Sequence, residues 1–226
     1  GGPGGGPLAR DAEPTKDALV SAAEKLFAAR GVDLVSLREI NRASGARNAV
    51  ALQYHFGDRD GIVRAVVRKH YRHVDRQRHQ MLDAYETGSH DEVRKLSAAL
   101  VLPAAAKLAD VDGGPEYLRI AAELLNRPTG AFDPDTPFDM SASIDRWRAL
   151  VGPFLEQDAT RLHRRFTAIR FSAMELGRRA QTAPHRDDRL FTSQLVDLVT
   201  ALLLAPVSSQ TATLAARRRR HRRTPS

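Results

Sequence analysis

Apolar residues recur at steps of three and four along almost the whole chain, which is the spacing of one face of an α-helix. The first such run, 19–27, ends shortly before Gly31, as expected of a helix capped by glycine. The segment Ser36 to Glu39 has the Ser-x-x-Glu form of a capping box and predicts a short second helix over about 36–44. No alternating strand pattern and no Asn-Gly hairpin turn interrupts the series. The sequence therefore predicts an all-α fold.

The following segments predict further helices. A third helix is expected over about 47–55, and Asp58 can cap a fourth that runs to about residue 86. A second Ser-x-x-Glu sequence, Ser89 to Glu92, predicts the start of a fifth helix, which Pro103 should kink or break. Amphipathic runs predict four more helices, over about 114–126, 141–155, 157–181 and 188–205, and the composition between Arg127 and Pro137 predicts a loop.

This order of helices divides the chain into a small N-terminal part and a larger C-terminal part. Three short helices joined by tight turns describe a helix-turn-helix. The predicted organisation is a disordered tail over 1–14, a helix-turn-helix domain over 15–61, a larger helical domain over 62–206 and a disordered basic tail over 207–226.

Positive charge is concentrated in two places. The formal net charge is +8, and positions 217–223 hold six arginines. Positions 34–82 hold ten Lys and Arg against four Asp and Glu, whereas positions 83–216 hold fifteen against eighteen. Such segregation is typical of a polyanion-binding surface beside a neutral body, although a solvated charged surface gives the same counts.

Several kinds of site find no support in the sequence. The chain has no cysteine, which excludes disulfides, thiolate nucleophiles and cysteine-based zinc sites. His70 and His73 stand three apart without a third ligand at metal-binding spacing, so neither a metal nor a cofactor is expected. No catalytic constellation or glycine-rich phosphate loop is present, so an enzyme is not predicted. No eighteen apolar residues run together and no signal-peptide pattern occurs, so no membrane span is expected.

The predicted third helix carries the chemistry of a DNA-reading helix. Such a helix exposes polar side chains to base edges in the major groove, while its opposite face stays packed. The polar residues around it are Arg47, Asn48, Gln53, Tyr54 and His55, and those expected to face inwards are Ala51, Leu52 and Phe56. By side-chain chemistry Arg47 suits guanine, and Asn48 or Gln53 suits adenine. Val50 suits the methyl group of thymine.

These residues also carry a family resemblance. Three segments resemble the DNA-binding module of TetR-family regulators over about residues 15–64, in a Tyr-His-Phe form common in high-GC actinobacteria: Thr15–Arg30, Ser36–Gly45 and, most specifically, Tyr54–Ile62. The resemblance implies a cytoplasmic DNA-binding regulator, with residues 62–206 forming a ligand-binding and dimerisation domain. It further implies a repressor that a small-molecule effector releases from a palindromic double-stranded DNA operator.

The resemblance also assigns roles to single residues. The candidate DNA-binding residues are Ser36, Arg38, Arg47, Asn48, Val50, Gln53, Tyr54, His55 and Arg59. Among them the resemblance implies phosphate contacts for His55 and Arg59, and contacts with the DNA backbone and groove edge for Gln53 and Tyr54. The chain has eleven steps from Gly45 to Phe56, where the commoner family pattern has ten, and the extra residue lies near 47–50. The roles therefore transfer most directly from Gln53 onwards.

In the C-terminal part the resemblance concerns architecture. It implies a homodimer held by the last two predicted helices, and a ligand cavity among helices four to eight. The candidate interface residues are Leu162, Phe166, Ile169, Ala173, Leu195, Leu198, Val199 and Leu202. The candidate cavity residues are Tyr117, Phe132, Phe138, Met140, Trp147, Phe154 and Phe171.

Three functions remain open at this point. The first is a repressor that responds to a small molecule, and the second is a DNA-binding regulator with a solidly packed C-terminal domain and no ligand. The third is a helical enzyme whose basic segment binds an anionic substrate. An apolar cavity with a few polar groups favours the first, a filled core the second, and a cluster of titratable side chains the third.

Overall fold

The computed structural model describes residues 16–45, 51–88, 92–127, 141–157 and 163–221, and its regular secondary structure in these ranges is helical. The helices are α1 (Lys16–Arg30), α2 (Leu37–Ala43), α3 (Ala51–Phe56), α4 (Arg59–Thr87), α5 (Val93–Ala105), α6 (Gly114–Leu125), α7 (Ser141–Val151), α8 (Arg164–Ala180), α9 (Arg189–Leu204) and α10 (Ser209–His221). Short 3₁₀ helices lie at Ala106–Ala109 and Gly152–Phe154. The predicted all-α fold is confirmed.

A common apolar core holds α1, α2, α3 and the start of α4 together. It includes Leu19 and Phe27 of α1, Ile40 of α2, Leu52 of α3 and Ile62 of α4, all almost completely buried. Because one inward-facing residue of each short helix meets the same core, the helices hold fixed positions that none of them would keep alone. The N-terminal helix-turn-helix therefore forms as the apolar spacing predicts.

Hydrogen bonds at the helix starts fix these positions further. At α2, Ser36 Oγ accepts from the Glu39 backbone N–H at 3.3 Å, and Glu39 Oε2 accepts from the Ser36 N–H at 2.8 Å. At α4, Asp58 Oδ1 accepts from the Gly61 N–H at 2.8 Å. Both predicted caps are confirmed.

The capping box also affects the acidity of Glu39. Its carboxylate accepts the Ser36 backbone N–H and a hydrogen bond from the Arg30 guanidinium at 2.5 Å. These bonds stabilise the charged form and lower the pKa of Glu39 from its ordinary 4.5 to about 2. Arg30 thereby links the last turn of α1 to the first turn of α2.

The start and end of α5 differ from the prediction. Glu92 has extended backbone angles and precedes the helix, so it is not the third residue of a helix opened by Ser89, and that prediction is wrong. Pro103 lies inside α5, which continues to Ala105 before the 3₁₀ turn. Proline removes the N–H that would bond the Ala99 carbonyl, and Arg78 Nε of α4 donates to that carbonyl at 3.2 Å instead.

Two C-terminal segments also depart from prediction. Within the helix expected over 157–181, His163 has a left-handed backbone with φ of 55°, and α8 begins directly after it at Arg164; residues 158–162 lie outside the described residues. Residues 209–221, expected to be part of a disordered tail, form α10. Ser208 Oγ accepts from the Thr211 N–H at 3.2 Å at its start, and alanine, leucine and arginine favour its continuation. The tail at 1–14 lies outside the described residues.

Among the described residues, no single helix is long and apolar enough to cross a membrane. Only α9 and the first part of α10 satisfy that criterion, and they do so together across a bend of 57°.

A buried polar cluster joins the N-terminal module to the C-terminal part. Glu24 of α1 and His70 of α4 are 2% and 1% exposed, and their Oε1 and Nε2 atoms lie 2.5 Å apart. Lys69 Nζ donates to the other Glu24 oxygen at 2.9 Å. Above the pair, the Tyr117 ring of α6 stacks on the His70 ring with centroids 4.9 Å apart. Gly113, with φ of +83°, lies so close to Glu24 that a Cβ there would approach its Oε2 to 1.9 Å. We call Glu24, Lys69, His70, Gly113 and Tyr117 the junction cluster.

A second link crosses the same boundary at the α1–α2 turn. The Val32 N–H donates to Glu123 of α6 at 2.9 Å, and the Val32 carbonyl accepts from Arg59 of α4 at 2.6 Å. Arg127, just after α6, forms an ion pair with Asp33 at 2.7 Å. The helix-turn-helix thus contacts α6 at two places.

We expect Glu39→Gln to remove a pH dependence from stability while preserving the capping geometry. Between pH 4.5 and about 2 the unfolded chain binds a proton at Glu39 that the native protein does not, so native stability falls as pH falls through this window. Urea unfolding at pH 6, 4 and 3 should show the difference in unfolding free energy between the proteins narrowing at low pH. If the difference in unfolding free energy between wild type and Glu39→Gln stayed constant with pH, the lowered pKa of Glu39 would be contradicted, because all other carboxylates are the same in both proteins.

We expect Gly113→Ala to destabilise the protein more than Gly57→Ala. Both glycines have positive φ, +83° and +76°, but a Cβ at Gly57 has no neighbour within 4 Å. The left-handed conformation costs alanine about 1–2 kcal/mol, and displacing a buried ionic partner adds about 3 kcal/mol. Urea denaturation measures the unfolding free energy of both variants. If both lost the same amount relative to the wild type, Glu24 would not constrain Gly113.

Candidate nucleic-acid interface and ligand cavity

Helix α3 presents a continuous polar edge to solvent. Gln53, Tyr54 and His55 are exposed, with Tyr54 84% exposed, while Leu52 is completely buried and Phe56 half-buried. The Tyr54 ring meets the His55 ring edge-on with centroids 5.2 Å apart. Since a large exposed tyrosine gains nothing from the core, this edge suits contact with another molecule.

The other predicted DNA-binding residues divide into three sets. Ser36 and Arg38 are exposed at the start of α2, although the Ser36 hydroxyl already accepts a hydrogen bond from the Glu39 N–H in the capping box. Arg59 is half-buried, and its Nη1 donates to the Val32 carbonyl. A guanidinium carries five N–H donors, so this bond does not prevent the predicted phosphate contact. Arg47, Asn48 and Val50 lie outside the described residues.

A basic groove lies beside the α3 edge, and residue-by-residue reasoning from the sequence missed it. It runs between α1 and α4 with a volume of about 740 Å³, and its wall includes five cations and two carboxylates. The charged residues of this wall are Lys16, Arg64, Arg68, Lys69, Arg72, Asp17 and Asp112, and His55 also lines it. Arg64, Arg68 and Arg72 stand at four-residue spacing on α4, a signal that was available in the sequence.

The C-terminal part contains a small cavity. It lies among α4, α5, α6, α7 and α8 and has a volume of about 50 Å³. Its described wall consists of Tyr71, Val74, Arg78, Leu100, Ala104, Tyr117, Leu118, Ala121, Leu125, Ile144, Ile169, Ser172, Ala173 and Leu176. The wall is therefore mainly aliphatic, with a few polar groups.

The predicted cavity residues agree with this wall only at Tyr117. Trp147 is completely buried, and its indole N–H donates to the Leu96 carbonyl at 2.8 Å, so it belongs to the core between α5 and α7. Phe154 and Phe171 are half-buried against the core and are not part of the described cavity wall. For these three residues the prediction is wrong, because aromatic size alone does not separate core packing from a cavity wall. Phe132, Phe138 and Met140 lie outside the described residues.

One cation and two phenols supply the strongest polar groups of the cavity. Arg78 is 3% exposed, and burial lowers its pKa. Burial also raises the pKa of Tyr71, to about 12, and that of Tyr117. Both phenols therefore stay protonated at neutral pH and can donate hydrogen bonds.

The predicted dimer residues also divide. Ile169, Leu195 and Val199 are buried within the chain, so for these three residues the interface prediction is wrong. They lie on the inward face of helices that have apolar residues on two sides. Ala173 is half-buried and lines the cavity, and its interface role stays a prediction. Phe166 and Leu202 are half-buried and Leu198 is 46% exposed, so these three keep an accessible surface. Leu162 lies outside the described residues.

Two further apolar side chains of α9, Leu190 and Leu204, are exposed together with Leu198. In the part of the chain that the structure describes, no group of three or more His, Asp or Glu side chains is arranged to hold a metal ion.

Comparison with known proteins gives one family match, in the N-terminal module. Residues 19–66 match the family model of the bacterial regulatory proteins of the tetR family. This range spans most of α1, all of α2 and α3, and the start of α4. It contains the α3 edge and part of the basic groove. The match supports DNA binding and transcription regulation as the role of this module.

Two solved structures match most of the chain at low sequence identity. The fatty acid degradation regulator FadR from Bacillus halodurans is 19% identical, with a TM-score of 0.49, covering 86% of this chain and 100% of its own. The superantigen PfiT is 19% identical, with a TM-score of 0.43, covering 88% of this chain and 100% of its own. No curated protein matches the chain.

Proposed function

We propose, on the premise that residues 19–66 form a tetR-type regulatory domain, that the protein is a dimeric cytoplasmic repressor that binds a near-palindromic operator. It leaves the operator when a small-molecule effector occupies the cavity. The observation that carries the proposal is the exposed edge of Gln53, Tyr54 and His55 on a helix anchored by buried Leu52, beside the basic groove.

On the DNA side, α3 enters the major groove and Gln53 reaches a base edge. Glutamine can donate and accept a pair of hydrogen bonds that match adenine. His55, Arg59 and the arginines of the basic groove bind phosphates, which supplies affinity without sequence preference. In a dimer on B-DNA the two α3 helices stand about 34–36 Å apart, so that each meets a successive major groove.

On the effector side, the two links described above carry the signal. Tyr117 lines the cavity and stacks on His70, which contacts Glu24 of α1. Further along α6 from Tyr117, the Glu123 carboxylate accepts a hydrogen bond from the Val32 backbone N–H. A ligand that widens the space between α6 and its neighbours therefore favours a different position of α1 and α3. The ligand shifts the equilibrium only by the difference between its affinities for the two conformers.

A regulator without a ligand would fill its C-terminal core. The cavity is far smaller than typical ligand sites of about 300–1,000 Å³, so its wall has to move apart before an effector can enter. Its wall nevertheless contains the buried guanidinium of Arg78, and no carboxylate of the described residues lies within 4.0 Å of it. This observation favours an effector over a solid core.

The exposed apolar residues of α9 support the dimer. Leu190, Leu198 and Leu204 project from one helix into solvent, and such a group is costly unless another surface covers it. A second copy of the same helix provides that surface with two-fold symmetry.

Base and phosphate contacts should respond differently to mutation. On a duplex selected from a random pool, Gln53→Ala should weaken binding by about 1–3 kcal/mol, while binding to an unrelated duplex stays unchanged. Arg59→Ala should weaken binding to both duplexes and make the salt dependence shallower by about one counterion, because one phosphate contact is lost. Fluorescence anisotropy at several salt concentrations measures both effects.

Arg178→Ala serves as the matched control, since Arg178 is an exposed cation at the end of α8. The melting temperature of Arg59→Ala shows whether loss of the Val32 bond unfolds the turn. If Arg59→Ala keeps the wild-type salt slope and both affinities, the placement of the α4 start on the phosphate backbone is wrong.

The dimer should depend on Leu198. Leu198→Glu places a charge in the centre of the exposed apolar face and should yield a folded monomer, whereas Val111→Glu, at a fully exposed position outside α9, should remain dimeric. Ile169 is unsuitable for this test because it lies in the core. Sedimentation at micromolar concentration gives the state directly, and a monomeric wild type would refute the proposed dimer.

A further inference from the structure

We propose that the effector is a small organic carboxylate whose charged group binds Arg78 inside the cavity. Its apolar remainder lies against the aliphatic wall. That the bound acid acts as an effector rests on the proposed function, but binding of the acid can be tested separately.

Arg78 is a buried cation with neutral partners. Its Nε donates to the Ala99 carbonyl at 3.2 Å, its Nη1 to Ser143 Oγ at 3.0 Å and its Nη2 to the Leu100 carbonyl at 3.5 Å. Asp75, one turn earlier on α4, acts on it electrostatically, but no carboxylate of the described residues lies within 4.0 Å of its nitrogens. Buried arginines are usually paired with an anion. The positive charge of Arg78 is therefore available to pair with an anion that enters the cavity.

Tyr117 supplies a second, independent observation. Its side chain is almost completely buried and lines the cavity, yet within the described ranges its hydroxyl has no hydrogen-bond partner. A phenol in the wall of the cavity can donate its hydrogen bond to a molecule that enters. A carboxylate on Arg78 would have a second oxygen to accept from this phenol. Tyr117 also belongs to the junction cluster, so a ligand held there contacts the link to α1.

The other residues of the cavity wall determine which uncharged group the ligand can carry beside its carboxylate. Val74, Leu100, Ile144, Ile169 and Leu176 are aliphatic and surround the polar groups. A cavity of about 50 Å³ holds a few water molecules, while a benzene ring needs about 150 Å³, so the occupant is small and the wall must move apart to admit it. A cation would be repelled by Arg78, and a phosphate would bury more charge than one guanidinium neutralises.

Arg78 also has a structural task, because it bonds the Ala99 carbonyl that Pro103 leaves without an N–H donor. That task needs a hydrogen-bond donor but no positive charge. The two roles make different predictions, because an arginine that bonds only the protein makes no direct hydrogen bond to a ligand, whereas the proposed site depends on that bond.

The test compares acids with their neutral amides on the full-length dimer. Hexanoate and benzoate should bind at least about tenfold more tightly than hexanamide and benzamide by calorimetry, as expected for charge-assisted hydrogen bonds. Arg78→Met should abolish the preference for the acid. Because loss of its bonds to α5 can unfold the protein, Tyr117→Phe is the decisive variant.

Tyr117→Phe removes the unpartnered hydroxyl and keeps the ring that stacks on His70. It should weaken acid binding by about three- to tenfold, while the melting temperature of the unliganded protein is unchanged or higher. Tyr85→Phe, at a buried tyrosine of α4 outside the cavity, should bind the acids as the wild type does.

The outcomes separate this inference from the proposed function. Equal binding of acids and amides, or wild-type acid affinity in Tyr117→Phe, overturns the carboxylate site. If a neutral compound releases the operator and no acid binds, the inference is overturned while the repressor proposal stands. If acids bind through Tyr117 without changing DNA affinity, the carboxylate site is supported and the ligand-responsive part of the proposed function fails.

Discussion

The contact between Glu24 and His70 is the constraint on which the arrangement of the protein depends. A carboxylate that is 2% exposed is tolerable only when its oxygens are bonded, and here one oxygen meets His70 while the other accepts from Lys69. Both partners lie on α4, so the requirement fixes the position of α1 against α4. Because Gly113 and the Tyr117 ring close over the pair, it also fixes the N-terminus of α6.

This arrangement makes α6 part of both functional regions. One face of α6 contributes to the cavity wall, and its two ends contact the DNA-binding module through the junction cluster and through Glu123. Its packing on α8 is close, since a Cβ at Gly177 would approach the Ala122 Cβ to 2.5 Å. Under the proposed function this close packing makes α6 move as a unit, so that expansion of the cavity shifts the α1–α2 turn.

Sequence reasoning succeeded where the signal is local. The caps at Ser36 and Asp58, and the run of short helices they start, follow from side chains that bond the backbone within three residues. Sequence reasoning failed for apolar or charged residues that could pack either against the core of the chain or against another surface. Ile169 and Leu195 have the right spacing for an interface, but periodicity does not say which apolar side faces the core. Arg78 is one of many arginines on α4, and only the fold shows that it points inwards towards the carbonyl freed by Pro103.

The most direct test of the link between the DNA-binding module and the cavity is amide hydrogen exchange of the full-length protein, with and without a duplex selected from a random pool. DNA binding should slow exchange in α2 and α3, and also change it at Val32 and along α6, because coupling between two sites is reciprocal. Changes confined to α2, α3 and the start of α4, with α6 exchanging as in the free protein, would contradict the account.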